Sequence, residues 1–248
     1  MTEENNENKT LNNNNVRNFI LRIDSQEFTP EVYGHLISKI QHNFDRTEVQ
    51  STKQIKLNSA EKKTEVSETD HKEYKLVSSK YSSSLTLSEV SKAIHIQCNN
   101  YIDYTSYIDT IGIVIENLKT LETPCSATRI GMRFINEFKC SNMSELKKVF
   151  NKRQKAIVNN MLQKEFCSRA VAIEEYTYPD MKSRVQYGVI NKFYPAIIVN
   201  YDASLDIDVY DDGSNDIKCW DEILKKLNHV AYDLFKDTID EKTVSGMK

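Results

Sequence analysis

The stretch Ala127-Thr128-Arg129-Ile130-Gly131-Met132-Arg133-Phe134-Ile135-Asn136-Glu137-Phe138 decides the fold. Its side chains alternate with period two, the period of a β-strand. Thr128, Ile130, Met132, Phe134, Asn136 and Phe138 fall on one face, and Arg129, Gly131, Arg133, Ile135 and Glu137 on the other. The mostly apolar face predicts packing against helices, and the charged face predicts exposure to water or to a ligand. Gly131, between the two arginines, marks a bulge or a close approach to the backbone. The arginines have two readings. They form a recognition surface, or they pair with Glu137 or with carboxylates on neighbouring strands across a solvated sheet.

Working outward, residues 19–23 form a first strand. Thr29 as N-cap and Pro30 in the first turn open a helix whose apolar stripe is Tyr33, Leu36, Ile37, Ile40 and Phe44. A short strand is expected at 54–57. The charged segment 59–72 lacks large apolar residues apart from Val66, so it reads as a flexible hairpin loop. Strands follow at 74–78, 84–87 and 93–98. A second helix from near Asp103 turns Tyr104, Ile108, Ile111, Ile115 and Leu118 inward, and Gly112 within it suggests a closely packed neighbour. Asn142 and Glu145 look like a capping box for a third helix carrying Met143, Leu146, Phe150 and Met161. Strands at 166–176, 184–193 and 196–210 lead to a last helix at 216–239, with Trp220, Leu224, Leu227, Ala231 and Leu234 on one stripe.

This element order predicts an α+β fold of two pseudo-repeated units, each strand, helix, three or four strands, helix, with antiparallel sheets and helices on one face. The units are residues 16–122 and 123–241. A polar tail at 1–15, expected to be disordered, and a short tail at 242–248 flank them.

The run Arg129-Ile-Gly-Met-Arg-Phe-Ile-Asn136 resembles the signature of a sporadically distributed prokaryotic family, whose pattern is Arg, aliphatic, Gly, aliphatic, Arg, aromatic, aliphatic, Asn. Ser84-Leu85-Thr86-Leu87-Ser88 and Leu205-Asp206-Ile207-Asp208-Val209-Tyr210 agree with it, and the resemblance extends from about Phe19 to Ile239. It implies a fold and carries no activity. The sporadic distribution hints at mobile accessory genes such as defence or toxin–antitoxin loci.

A net charge of −3 argues against a strongly basic nucleic-acid binder, but the charge is uneven. Residues 129–192 hold thirteen Lys and Arg against six Asp and Glu, and residues 202–241 hold twelve Asp and Glu against four Lys. The five cysteines Cys98, Cys125, Cys140, Cys167 and Cys219 form no Cys-x-x-Cys and no zinc spacing, which reads as reduced thiols in a cytoplasmic protein. No apolar run reaches the roughly 18 residues of a membrane helix, so no membrane partner is expected.

The candidate binding residues are Arg129, Arg133 and Glu137 on the central strand, joined by Arg169 and Arg184 from neighbouring strands. A guanidinium suits an anion or a peptide because its planar fork donates in pairs. Asp202, Asp206, Asp208, Asp211 and Asp212 do not match a calcium-loop spacing; Asp206 and Asp208 share an exposed strand face. The five histidines are dispersed. Lys147, Lys148, Lys152, Arg153 and Lys155 cluster on the third helix and read as a solvated basic face. No catalytic residue, metal ligand or cofactor is assigned. The reading is a non-enzymatic binding module with a protein partner or a second copy of itself, nucleic acid being the less favoured partner. The competing reading is an enzyme, or a nucleic-acid binder, acting on a phosphate-containing ligand at the Arg129/Arg133 face, with Asp206 and Asp208 as helpers.

Overall fold

Strand-period alternation and helix caps translate into eleven strands and six α-helices in the computed structural model, which describes residues 16–60, 63–79, 83–99, 105–121, 125–162, 169–194, 197–213 and 215–245. In chain order these are β1 (Val16–Asp24), α1 (Pro30–Ile40), β2 (Arg46–Ala60), β3 (Lys63–Ser78), β4 (Ser83–Ser88), β5 (Ala93–Cys98) and α2 (Thr105–Lys119). Then come β6 (Ser126–Ala127), β7 (Arg129–Cys140), α3 (Met143–Val149), α4 (Lys152–Leu162), β8 (Arg169–Thr177), β9 (Lys182–Tyr194) and β10 (Ile197–Asp211). β11 (Asn215–Asp216), α5 (Trp220–Thr238) and α6 (Glu241–Ser245) complete the chain.

The fold is α+β. Nine strands form one antiparallel sheet in the order β2-β3-β4-β5-β1-β7-β10-β9-β8, and β6 and β11 pair separately. β7 is central because its even-numbered side chains are the apolar ones. Ile130, Met132, Phe134, Asn136 and Phe138 are all buried, and Phe134 meets Phe19 of β1 with ring centroids 5.0 Å apart. Buried Asn136 is satisfied by donating to the Leu205 carbonyl at 3.1 Å, as a polar group inside a core must be. Thr128, just before β7, is exposed. Residues 16–122 and 123–241 share one sheet and one continuous core.

Helix α1 starts as its caps predict: Thr29 accepts from the Val32 amide, and Tyr33 reaches across to the Ser88 and Ala93 carbonyls. α5 packs on β7 and β10, α3 on the same two strands, and α4 on β8 and β9. The opposite face of the sheet carries the charged side chains.

Three expectations need correcting. Residues 63–72 are strand, continuous with β3, and the short strand expected at 54–57 belongs to the 15-residue β2. β3 pairs with β4 only over Glu73–Ser78, so beyond it β2 and β3 run on as a two-stranded ribbon. Residues 61 and 62, like 1–15 and Asp103, lie outside the described residues. The third helix is two helices. Phe150 is extended and bridges to Ile239, and Asn151 then caps α4 by accepting from the Arg153 and Gln154 amides at 2.9 and 3.2 Å. Lys147 and Lys148 therefore belong to α3, and Lys152, Arg153 and Lys155 to α4, so the basic cluster is divided between two helices. Finally, a Cβ added to Gly112 would meet nothing within 4 Å, so no tight packing explains that glycine.

Candidate functional site

The open face is ordered by cross-strand register. One row runs Ile20, Arg133, Asp208, Arg184, Glu175 across β1, β7, β10, β9 and β8. The next runs Asn18, Ile135, Asp206, Gln186, Ile173. Arg133 reaches along β10 to Asp206, its Nε and Nη2 donating to the two carboxylate oxygens at 2.9 and 2.5 Å. This forked geometry is the strong form of the pair, and it holds Arg133 more firmly protonated than usual.

Arg129 lies 3.6 Å from the Asp208 carboxylate and 4.2 Å above the centre of the Tyr210 ring, a cation–π stack. Its Nε is buried without a hydrogen-bond partner. Gly131 makes this possible. A Cβ there would sit 3.1 Å from the Tyr210 Cβ and 3.7 Å from Arg129 Nε, so the missing side chain leaves room for the stack. Pairing with β10 runs unbroken past Gly131, so the position is a close approach and not a bulge.

Arg133, Arg184, Gln186, Asp206 and Asp208 line a shallow depression of about 40 Å³, far below the roughly 300–1,000 Å³ of ordinary ligand pockets. Arg184 is exposed and donates to Gln186 at 3.4 Å; among the described residues it holds no carboxylate within ion-pair distance. Farther along, Lys182 pairs with Asp212, and Arg22 with Asp24 at 2.7 Å. Burial, reinforced by Arg22, keeps the imidazole of His95 below its usual range. The face is a lattice of both signs, not a positive field.

Of the residues expected at this site, Arg129, Arg133 and Arg184 come together. Glu137 does not join them; it pairs with Arg17 of β1 at 2.5 Å. Arg169 stands in the row of Ile190, Asp202 and Lys139, six residues along β7 from Arg133, or roughly 20 Å. Gln186 and Tyr210 are members that the sequence did not flag. Their one signal was strand alternation, which shows the face and not the neighbour. Among the described residues no three His, Cys, Asp or Glu are grouped to hold a metal ion.

Asp208 is desolvated, and burial raises its pKa against the opposing pull of Arg129 and Arg133. Its side chain is 30% exposed. An acid with a raised folded pKa stabilises the fold below its unfolded pKa, here near 3.8. That contribution disappears as pH rises through the folded value. Asp208→Asn removes this titration. Urea unfolding of both proteins at a series of pH values is expected to show wild type losing ground to the variant as pH rises above 3.8. A difference constant with pH would show that Asp208 titrates normally.

These features define a class: an α+β protein with one large antiparallel sheet, helices packed on one side and a charge-paired face on the other. No protein-family model matches the chain, and no curated protein or solved structure matches it. Among the described residues no helix is long and apolar enough to cross a membrane.

Proposed function

We propose that the protein is a non-enzymatic binding module whose open sheet face receives a polypeptide partner. The observation that carries this reading is the prior engagement of the arginines: Arg133 by Asp206, Arg129 by Asp208 and Tyr210. A nucleic-acid backbone supplies only acceptors and binds by exchanging counterions on free Lys and Arg; here a phosphate at Arg129 or Arg133 would have to displace a carboxylate. A protein surface offers donors and acceptors together, and it also suits the apolar side chains Ile135, half-buried, and Ile173, exposed, on the same face. The enzyme reading requires acid and base groups converging in a concave pocket, and the shallow depression at Arg184 favours a surface over a cleft.

The two-unit organisation belongs to the same proposal. Counted outward from the β1–β7 seam, one side reads β1, β5, β4, β3, β2 and the other β7, β10, β9, β8, as two related units joined at their first strands would. We place the protein in the cytoplasm as an accessory factor, in keeping with the resemblance of 129–136 to a sporadically distributed family.

Capture from host lysate on immobilised protein tests the reading. Wild type is expected to retain a polypeptide partner, and Arg133→Ala and Arg184→Ala to lose it. Arg133→Lys should fall between wild type and alanine, since it keeps the charge and loses the fork. The Arg133–Asp206 pair is 47% and 17% exposed, so Arg133→Ala should cost less than about 1 kcal/mol of stability. Recovery of nucleic acid instead, with affinity falling steeply in salt, would overturn the proposal.

A further inference from the structure

β8 is a lateral edge of the nine-stranded sheet. It pairs with β9 from Arg169 to Thr177 on its inner side, and among the described residues nothing pairs with its outer side. Open edges present unpaired backbone donors and acceptors, and proteins usually blunt them with lysine, proline or a bulge. The other edge, β2, follows that practice with Arg46, Lys53 and Lys56. β8 does not. Its middle reads Ala170-Val171-Ala172-Ile173, and Ile173 is 50% exposed.

The open-face positions of β8 are Arg169, Val171, Ile173 and Glu175. Turned antiparallel on itself about Ala172, this order is self-complementary: position 169 meets 175, and 171 meets 173. The same register extends the rows of the sheet. Arg133, Asp208, Arg184 and Glu175 alternate in sign across four strands, and the next position in that row is Arg169 of a second copy. The row ending Asp206, Gln186, Ile173 continues into Val171 of that copy. A register two residues away, centred on Ile173, sets Ile173 against its copy but places Glu175 against Val171 and Arg169 against Thr177, and so loses the charge pairing.

We propose that β8 is a homodimer seam, with two copies joined edge to edge and antiparallel about Ala172. The contact is isologous, the usual form of a two-fold interface. A two-fold axis normal to the sheet keeps helices with helices and open faces with open faces. The combined sheet then doubles the charge-paired surface, whatever that surface binds.

Sedimentation velocity of the full chain across the micromolar range tests this. Wild type is expected to form a concentration-dependent dimer. Glu175→Arg sets arginine opposite Arg169, and Arg169→Glu sets carboxylate opposite Glu175, each twice by symmetry. Each single change should weaken the dimer about tenfold or more, and the double swap should restore it. Ile173→Lys should leave a monomer whose circular dichroism matches wild type. On the unmodified protein, amide exchange across β8 should slow as concentration rises. A wild type that stays monomeric throughout overturns the proposal, as does a dimer indifferent to both single changes or one not rescued by the swap.

Discussion

Replacing Trp220 with alanine is expected to lower stability by about 3–5 kcal/mol, the range for truncating a fully buried large aromatic. Trp220 is 0% exposed and opens α5, the helix that seals β7 and β10. Its indole N–H donates to the Asn215 carbonyl at 3.1 Å, and Asn215 belongs to β11, which pairs with Ala127 just ahead of β7. Truncation thus opens a cavity and also removes the link between the last helix and the start of the central strand. Trp220→Phe separates the two effects. It keeps most of the ring and loses the hydrogen bond, worth about 0.5–1.5 kcal/mol. Since Trp220 is the single tryptophan, the variants should be followed by far-ultraviolet circular dichroism in urea. Midpoints within error of wild type would show that α5 is held by other contacts.

The reach of sequence reasoning followed the range of each interaction. α1 was legible because Thr29, Pro30 and the Tyr33, Leu36, Ile40 stripe are all local signals, and the structure keeps each of them. β7 was legible because burial on one face leaves its imprint every second residue. The ribbon of β2 and β3 was not. Ile55 and Leu57 marked a short piece of β2, but residues 59–72 carry no apolar alternation and a backbone ladder leaves none, so they read as a loop. The split of the third helix was hidden for a related reason. Phe150 fits a helical stripe by spacing, yet it is extended, packs on Tyr187 and bridges to Ile239, a residue far along the chain.

The site divides in the same way. That Arg129 and Arg133 share a face follows from alternation, and so does the exposure of Asp206 and Asp208. Which carboxylate meets which guanidinium depends on the offset between β7 and β10, a long-range register fixed by the packed faces of both strands. Arg169 was misplaced for the same reason. β8 pairs with β9 in a register that sets Arg184 beside Glu175 and carries Arg169 to the far end of the face.

That register has a steric keystone, and Gly188→Ala is expected to break it. A Cβ on Gly188 would lie 2.1 Å from the Ala170 oxygen, 3.0 Å from the Ala170 carbonyl carbon and 2.9 Å from the Val171 Cα, all of them backbone atoms of β8. No side chain can swing away to relieve this, so β8 must move off β9 by about 1 Å to regain ordinary van der Waals separation. The displaced strand carries Glu174, which accepts from Tyr187 at 3.0 Å and also from Tyr176, and pairs with Arg153 of α4 at 3.2 Å. Overpacking of this kind costs about 1–3 kcal/mol, more where backbone must shift. The loss should be local. Amide exchange should quicken along β8 and α4 while β1 and β5 keep their protection. Gly112→Ala is the control, because its added methyl meets nothing and alanine in a helix should stabilise by about 0.5–1 kcal/mol. If Gly188→Ala melts with wild type and exchanges like it, then β8 is not held against β9 by that close approach, and the edge is free to slide.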